Sequence, residues 1–329
     1  MTTIALDAVG GDVYPLPQIN GALAALDASP ELSIILVGPK ELLEQHLPQR
    51  VYDKNRLSIF DASEIIDMEE SAASALKNKP NSSIVVGTTL HKKGIANAFV
   101  SAGNTGALLA ASIFILGKLE GIIRPTIAAQ FPTIHGFRLL VDAGANLSIK
   151  RPEIYRQFGL MASIYCQYVL DIDNPRIGLL NVGEEKEKGT DELKEAYHLL
   201  SELPNFVGNI EGRDILPCKA DIFLTDGLVG NILLKFGESL PEALKILVQK
   251  EMKEKGFTKE QSILVLDTLK NALNLFIPDD VGGVPFLGVN GTILVGHGDT
   301  SETAIKNLVL GAKKCVNKAI NEKMLVKIQ

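Results

Sequence analysis

Residues 96–116 read Ala-Asn-Ala-Phe-Val-Ser-Ala-Gly-Asn-Thr-Gly-Ala-Leu-Leu-Ala-Ala-Ser-Ile-Phe-Ile-Leu, and this stretch decides the fold. The apolar run Ala96 to Val100 has the length of a strand, and the alanine-rich run Ala107 to Leu116 has that of a helix. Between them Gly103 and Gly106 bracket Asn104 and Thr105. Glycine lets the chain turn tightly and approach a ligand without a Cβ in the way, while the helix that follows presents unpaired N–H groups. Strand, glycine turn and helix in that order form an anion-binding element of a doubly wound α/β protein. No lysine follows Gly106, so the nucleotide P-loop pattern is absent and the turn suits a phosphate or a carbonyl better than ATP.

Outward from this point, short apolar runs alternate with longer helical patterns along the whole chain, as in a mostly parallel sheet covered on its two faces. Strands are expected at Thr3 to Leu6, Ser33 to Val37, Leu57 to Phe60, Ala96 to Val100, Phe137 to Val141, Arg176 to Leu180, Asp221 to Leu224 and Thr292 to Val295. The expected organisation over 1–329 is a single α/β domain, or one with two lobes, since 329 residues can bury a sizeable core. The ladder breaks once, over 239–280, where two amphipathic helices follow each other with no strand between. Capping-box patterns at Ser239-Leu-Pro-Glu242 and Thr258-Lys-Glu-Gln261 mark their starts, and Lys255-Gly256-Phe257 ends the first. Leu240, Leu244, Leu247 and Val248 on one, and Leu266, Leu269, Leu273 and Phe276 on the other, recur at helical spacing. A projecting hairpin must cover such stripes, with a second subunit as the commonest partner and the chain's own core or a surface lipid or hydrophobic ligand as the alternatives.

Composition narrows the class. A net charge of −6 without a basic block disfavours duplex nucleic acid. The longest apolar run is half of the roughly 20 residues that a membrane-spanning helix needs. The start, MTTIALDA, carries no signal-peptide pattern, and the expected location is cytoplasmic. Cys166, Cys218 and Cys315 lie far apart without metal or disulfide spacing and read as buried thiols.

Ligands of doubly wound sheets bind beyond the carboxyl ends of the strands. Six expected strands run into loops of one kind: Asp7-Ala-Val-Gly10-Gly11-Asp12, the Ser101 to Gly106 turn, Asp142-Ala-Gly-Ala-Asn146, Asn181-Val-Gly-Glu184-Glu185, Thr225-Asp226-Gly-Leu-Val-Gly-Asn231 and Gly296-His297-Gly-Asp-Thr-Ser301. Singly these are ordinary turn residues. Together, on strand ends expected to share one sheet edge, they read as a polar cleft. Arg124, Lys188 and Lys235 are the cations placed to reach it. Asp7, Asp12, Asp142 and Asp226 offer carboxylates for Mg²⁺, but equally serve as caps, and no metal is expected. A Gly-x-Ser-x-Gly elbow is missing, and Gly296-His-Gly-Asp-Thr-Ser301 opens the last helix with no strand after it, so it is no dinucleotide fingerprint.

The segments IALDAVGGD, SAGNTGALLA, Arg124-Pro125, VDAGAN, GLLNVGEEKEKG, NFVGNIEGRDI, TDGLVGNILLK and GVPFLGVNGTILVGHGD span nearly the whole chain. In this order they closely resemble the bacterial phosphate acyltransferase family, which makes acyl phosphate from acyl-acyl carrier protein for phospholipid synthesis. The resemblance implies a fold like the isocitrate and isopropylmalate dehydrogenases, no cofactor, a homodimer and peripheral contact with the cytoplasmic membrane. It also implies that the product passes to a membrane-bound glycerol-3-phosphate acyltransferase. The hairpin end, Asn271 to Gly283, carries Asp279 and Asp280, so membrane contact there would rest on Leu273, Leu275, Phe276 and Ile277. Lys245, Lys250, Lys253, Lys255 and Lys259 could meet acidic carrier protein or anionic lipid, or form a solvated face.

With phosphate itself as nucleophile, no enzyme-bound acyl group is required; the protein must position the reactants and stabilise an oxyanion. Asn104, Thr105 and Gly106, backed by Gly103, with Lys188 or Lys235 are expected to hold phosphate. Asn146 or Asn231 would polarise the thioester carbonyl, and His297 would assist the leaving thiolate. Asp7, Gly10, Gly11, Asp12, Arg124, Asp142, Glu184 and Asp226 complete the expected substrate-binding set. A β-decarboxylating NAD(P)-dependent dehydrogenase and a non-catalytic anion or acyl-binding protein are the alternatives; the first would need an arginine cluster not visible in the chain.

Overall fold

A computed structural model describes residues 1–47, 52–273, 282–299 and 301–328. Its strands are β1 (Thr2–Asp7), β2 (Leu32–Gly38), β3 (Leu57–Asp61), β4 (Ala98–Ser101), β5 (Thr126–Thr133), β6 (Gly136–Val141), β7 (Ile177–Leu180), β8 (Phe206–Ile210), β9 (Ile222–Leu224), β10 (Val284–Leu287) and β11 (Ile293–Val295). They form one 11-stranded sheet in the order β3-β2-β1-β4-β11-β10-β5-β6-β9-β7-β8. All eight expected strands are there. The three missed ones, β5, β8 and β10, are interrupted by proline or glycine: Pro132, Gly208 and Pro285.

One expectation fails. β1, β2, β3, β4 and β11 run parallel; β10 is antiparallel to β11 and β5, and β5 is antiparallel to β6. β6, β9, β7 and β8 are parallel to one another. The second block therefore points opposite to the first. Of the six polar loops, those after β1, β4 and β11 leave one sheet edge, and those after β6, β7 and β9 leave the other. Between the blocks, β10 and β5 are joined by only two pairs, Phe286 with Ile127 and Leu287 with Thr126.

Side chains alternate between the faces, as strand geometry requires. Ile4, Leu6, Ala128 and Leu139 point into a cluster shared with α1 (Leu16–Ala28), α2 (Lys40–His46), α6 (Glu153–Tyr168), α7 (Asp191–Leu200), α10 (Glu302–Asn317) and α11 (Ile320–Ile328). Ala5, Phe99, Ile127 and Ala129 point the other way, toward α3 (Ala72–Asn78), α4 (Ser83–Lys92) and α5 (Thr105–Ala111). α8 (Gly227–Glu254) covers β5 and β6, its Leu233 and Leu234 packing on a smaller cluster of Phe131, Leu140, Ile210 and Phe223. The sheet is wound on its two faces. Cys166, Cys218 and Cys315 are buried, and burial pushes the Cys315 thiol up to about 12.

The hairpin differs from its expected outline. Its first helix does not start at Ser239: α8 is capped far earlier by Asp226, whose carboxylate accepts the Val229 N–H at 2.9 Å, and it runs through Pro241. Ser239 donates to the Phe236 carbonyl instead of capping. Early capping is possible because glycines let the helix lie flat against the chain beneath. A Cβ on Gly230 would fall 1.8 Å from the Asp142 carbonyl oxygen, and one on Gly227 2.9 Å from that of Asn146. The helix ends where expected, at Lys255 before Gly256, whose φ is +65°. The capping box at Thr258 and Gln261 then starts α9 (Lys259–Leu273). No residue of α9 is buried, and Ile246, Leu247, Ile263 and Leu264 are exposed. Leu275, Phe276, Ile277, Asp279 and Asp280 lie outside the described residues. No helix among the described residues is long and apolar enough to cross a membrane.

His91 on α4 ties this helix to the entry of β11. Its Nδ1 meets the Ala96 carbonyl at 3.0 Å, and its Nε2 accepts the Thr292 N–H at 2.9 Å. This is a neutral imidazole, and burial holds its pKa below the ordinary 6.5. The unfolded chain therefore takes up a proton first as the pH falls. Its contribution to stability is complete above 6.5 and is lost as the pH drops toward and through the lowered folded value. Thermal unfolding of the parent and a His91→Gln variant, followed from about pH 8 to pH 5, is expected to show a shallower acid slope in the variant. Identical slopes would refute this linkage.

Candidate active site

The turn after β4 is held from below. The Ser101 hydroxyl donates to the Asp7 carboxylate at 2.6 Å and accepts the Gly103 N–H at 2.9 Å. Asp7 is fully buried, and desolvation raises its pKa against hydrogen bonds from Ser101, Ser83 and backbone N–H groups. Gly10 must be glycine here, since a Cβ would come 2.6 Å from Asp7 and 2.7 Å from the Gly103 nitrogen. Asp7, Gly10 and Gly103 thus form the bed of the turn. Gly11, with φ +112°, lets Asp12 reach the β11 loop, where its N–H donates to the Gly298 carbonyl at 2.9 Å.

Asn104 faces inward. Its Oδ1 caps α5 by accepting the Ala107 N–H at 2.9 Å, and its Nδ2 donates to the carbonyls of Asp67, Met68 and Glu70. The expected phosphate contact through this side chain is thereby replaced by a positioning role: its amide group is spent on the protein. Thr105 and Gly106 are exposed at the start of the helix, which continues as a π-helical turn from Ser112 to Leu116.

A similar arrangement holds the loop after β6. The buried Asp142 carboxylate accepts the N–H groups of Ile127, Gly144, Ala145 and Asn146 and the side-chain amide of Asn146. Asn146 also donates to the Pro125 carbonyl at 2.8 Å, so its side chain is engaged and cannot serve as the expected carbonyl polariser. Asn231, in the second turn of α8, is exposed beside Gly144 and, among the described residues, donates a single 3.3 Å bond to the Ala143 carbonyl.

A cavity of about 610 Å³ lies where these parts meet. Among its lining residues are Asp12, Thr105, Gly106, Gly144, Asn231, Lys235 and His297. Loops from opposite sheet edges reach it because it lies over a face of the sheet at β5, walled by α5 on one side and α8 on the other. His297 is exposed there, its Nδ1 accepting the Asp299 N–H at 3.3 Å. Lys235 pairs with Glu238 at 2.8 Å. Arg124, Lys188, Glu184 and Asp226 do not line it. Lys188 is exposed on the β7 loop, Glu184 binds Lys219 at 2.7 Å, and Asp226 is occupied as the cap of α8. Sequence reasoning placed them in the cleft because it put all six loops on one edge. Among the described residues no three His, Cys, Asp or Glu side chains are grouped to hold a metal ion.

Comparison with known proteins now decides the family. The model of a family described as "fatty acid synthesis protein" matches residues 2–323. A phosphate acyltransferase of Salinibacter ruber is 45% identical over 314 residues, covering 94% of this chain and 93% of that protein. One from Halothermothrix orenii is 42% identical over 320 residues, covering 96% of each. The chain belongs to the phosphate acyltransferase family. It is an acyl-transferring enzyme. A phosphotransacetylase of Streptococcus pyogenes shares the fold with a TM-score of 0.60 at 16% identity, over 95% of this chain and 94% of that one. A branched-chain phosphotransacylase of Enterococcus faecalis does so with a TM-score of 0.55 at 15% identity, over 96% and 99%.

What sequence reasoning missed in this acyltransferase is the apolar part of its cleft. Ile127, Ala129 and Phe131 of β5 form the floor, with Leu109 of α5 and Leu234 of α8 on the walls. The alternation of apolar residues in Thr126–Thr133 carries that signal, and Pro132 obscured it. Glu238 was missed too. Its pairing with Lys235 competes with any bound anion, so Glu238→Gln is expected to lower the KM for phosphate about two- to fivefold, the effect of an exposed ion pair. An unchanged or raised KM in steady-state assays would contradict that competition.

Proposed function

We propose that this cleft transfers the acyl group of an acyl carrier protein thioester to inorganic phosphate, giving acyl phosphate and free carrier thiol for phospholipid synthesis. The observation that carries the reading is one cavity combining an exposed helix start, a lysine and a histidine with an apolar floor. Phosphate sits at the N–H groups of Thr105 and Gly106, opposite Lys235, where helix dipole and cation both favour a dianion. A phosphate oxygen attacks the thioester carbon. The oxyanion forms near the amide of Asn231, then collapses as the C–S bond breaks and its electron pair leaves with sulfur. His297 gives that thiolate a proton. Asn104, Asp7 and Asp142 act through the loops they hold. Phosphate is already a competent nucleophile at neutral pH, and thioester and acyl phosphate are both activated acyl groups, so neither ATP nor an acylated enzyme is needed.

The hairpin serves a homodimer, and its apolar tip touches the cytoplasmic membrane face peripherally, where acyl phosphate passes to a membrane-bound glycerol-3-phosphate acyltransferase. Support comes from the exposed Ile246, Leu247, Ile263 and Leu264. Of the five lysines there, Lys245, Lys250 and Lys255 are paired with Glu242, Glu254 and Glu251, which leaves less charge for attracting lipid or carrier.

Incubation with acyl carrier thioester and phosphate is expected to give a hydroxylamine-trappable acyl phosphate only when phosphate is present, with no change in NADH absorbance. Folded protein that yields no trappable product would overturn the reading. Lys235→Ala is expected to raise the phosphate KM about tenfold, corresponding to roughly 1.4 kcal/mol; a KM equal to the parent's would remove Lys235 from the anion site.

A further inference from the structure

The floor of the cleft ends at an aromatic partition. Ile127, Ala129 and Phe131 occupy alternate positions of β5 and face the cavity together, with only a methyl group between the two bulky side chains. Thr105 follows β4 and Phe131 lies on β5, three strand spacings away at about 14 Å, a length that an extended hydrocarbon fills with roughly eleven methylenes. Phe131 is buried. One side of its ring lines the cavity, and the other joins Ile210, Ile215 and Phe223 in the interior cluster. The ring's position is fixed from above by Gly237 of α8, where a Cβ would lie 2.9 Å from two ring atoms. Phe137, also on the cavity lining, closes the same end from β6.

We propose that Phe131 sets the length of acyl chain that the cleft accepts, with Gly237 setting how far its ring stands back from the chain. This assignment rests on the acyl-transfer reading above. An acyl chain that crosses the sheet from the loops after β4 and β11, with its thioester toward Thr105 and His297, meets the Phe131 ring of β5 with its terminal carbons. Removing the ring opens the way toward the interior cluster. Adding a methyl group to Gly237 pushes the ring into the cavity, and a flexible aromatic tip can yield where backbone could not. The two substitutions therefore move the preference in opposite directions, which a general loss of packing would not do.

The test is the ratio of kcat/KM for straight-chain acyl carrier protein thioesters from octanoyl to stearoyl, measured for the parent, Phe131→Ala, Phe131→Leu and Gly237→Ala. The Leu variant keeps most of the buried volume should the Ala variant not fold. Phe131→Ala or Phe131→Leu is expected to raise the long-to-short ratio about tenfold, Gly237→Ala to lower it, and the phosphate KM to stay within about twofold. Folded variants with the parent's chain-length profile, or with shifts of the same sign, would overturn the assignment. A parent enzyme that makes no acyl phosphate from any thioester would overturn the acyl-transfer reading, and this assignment with it, a result distinct from an unchanged profile.

Discussion

Asp142→Ala is expected to cost more than about 5 kcal/mol, which few single domains of this kind tolerate. The carboxylate receives four backbone N–H groups and the Asn146 amide, all within 2.6 to 3.3 Å, and the residue is fully buried. Truncation leaves each donor without its partner, at about 1–3 kcal/mol apiece where water cannot replace it. The Gly144 to Asn146 loop then loses its shape. That shape also seats α8, because the Asn146 carbonyl accepts the Gly227 N–H at 2.7 Å. Asp142→Asn keeps one acceptor oxygen and should fall between the two. Denaturant unfolding of the three proteins checks the ranking. An alanine variant within about 1 kcal/mol of the parent would refute the account.

Asn104→Ala is expected to raise the phosphate KM about tenfold or more and to remove about 2–4 kcal/mol of stability. One acceptor of the helix cap and the donor to three carbonyls disappear together. The start of α5 then frays, and the N–H groups of Thr105 and Gly106 no longer converge on one point. Asn104→Asp separates capping from loop holding. It keeps the cap acceptor but turns a carboxylate toward three carbonyl oxygens, so it should recover little of the phosphate affinity. If the aspartate variant matched the parent, capping alone would be the residue's role. Melting temperature and phosphate KM, measured side by side, distinguish these outcomes.

Much of the fold could be read from apolar runs and glycine turns, because strand and helix spacing are local properties. Strand direction was not readable. It is decided by β5 and β10, which hold the reversal of the sheet, and Pro132 and Pro285 made the two look like loops. The site followed the same division. Asp12, Thr105, Gly106, Asn231, Lys235 and His297 meet in the cavity as turn chemistry suggested. Asp142 and Asn146, with identical turn chemistry, face the protein. A side chain's spacing in sequence does not say whether its acceptor is a ligand or its own backbone. Likewise the Ser239 box imitated a helix start, while Asp226 had already supplied one.

The two blocks of the sheet are stitched by only two residue pairs at β10 and β5. β10 is tied to β11 by two pairs as well, so the strand that turns the sheet over has few partners on either side, while the large apolar cluster on one face runs from Ile4 through Leu139 across both blocks. The cavity lies over this seam, bordered by Val284 of β10 and Ile127 of β5, and it draws Thr105 from one block and Gly144 from the other. A molecule lying there touches both halves of the chain at once.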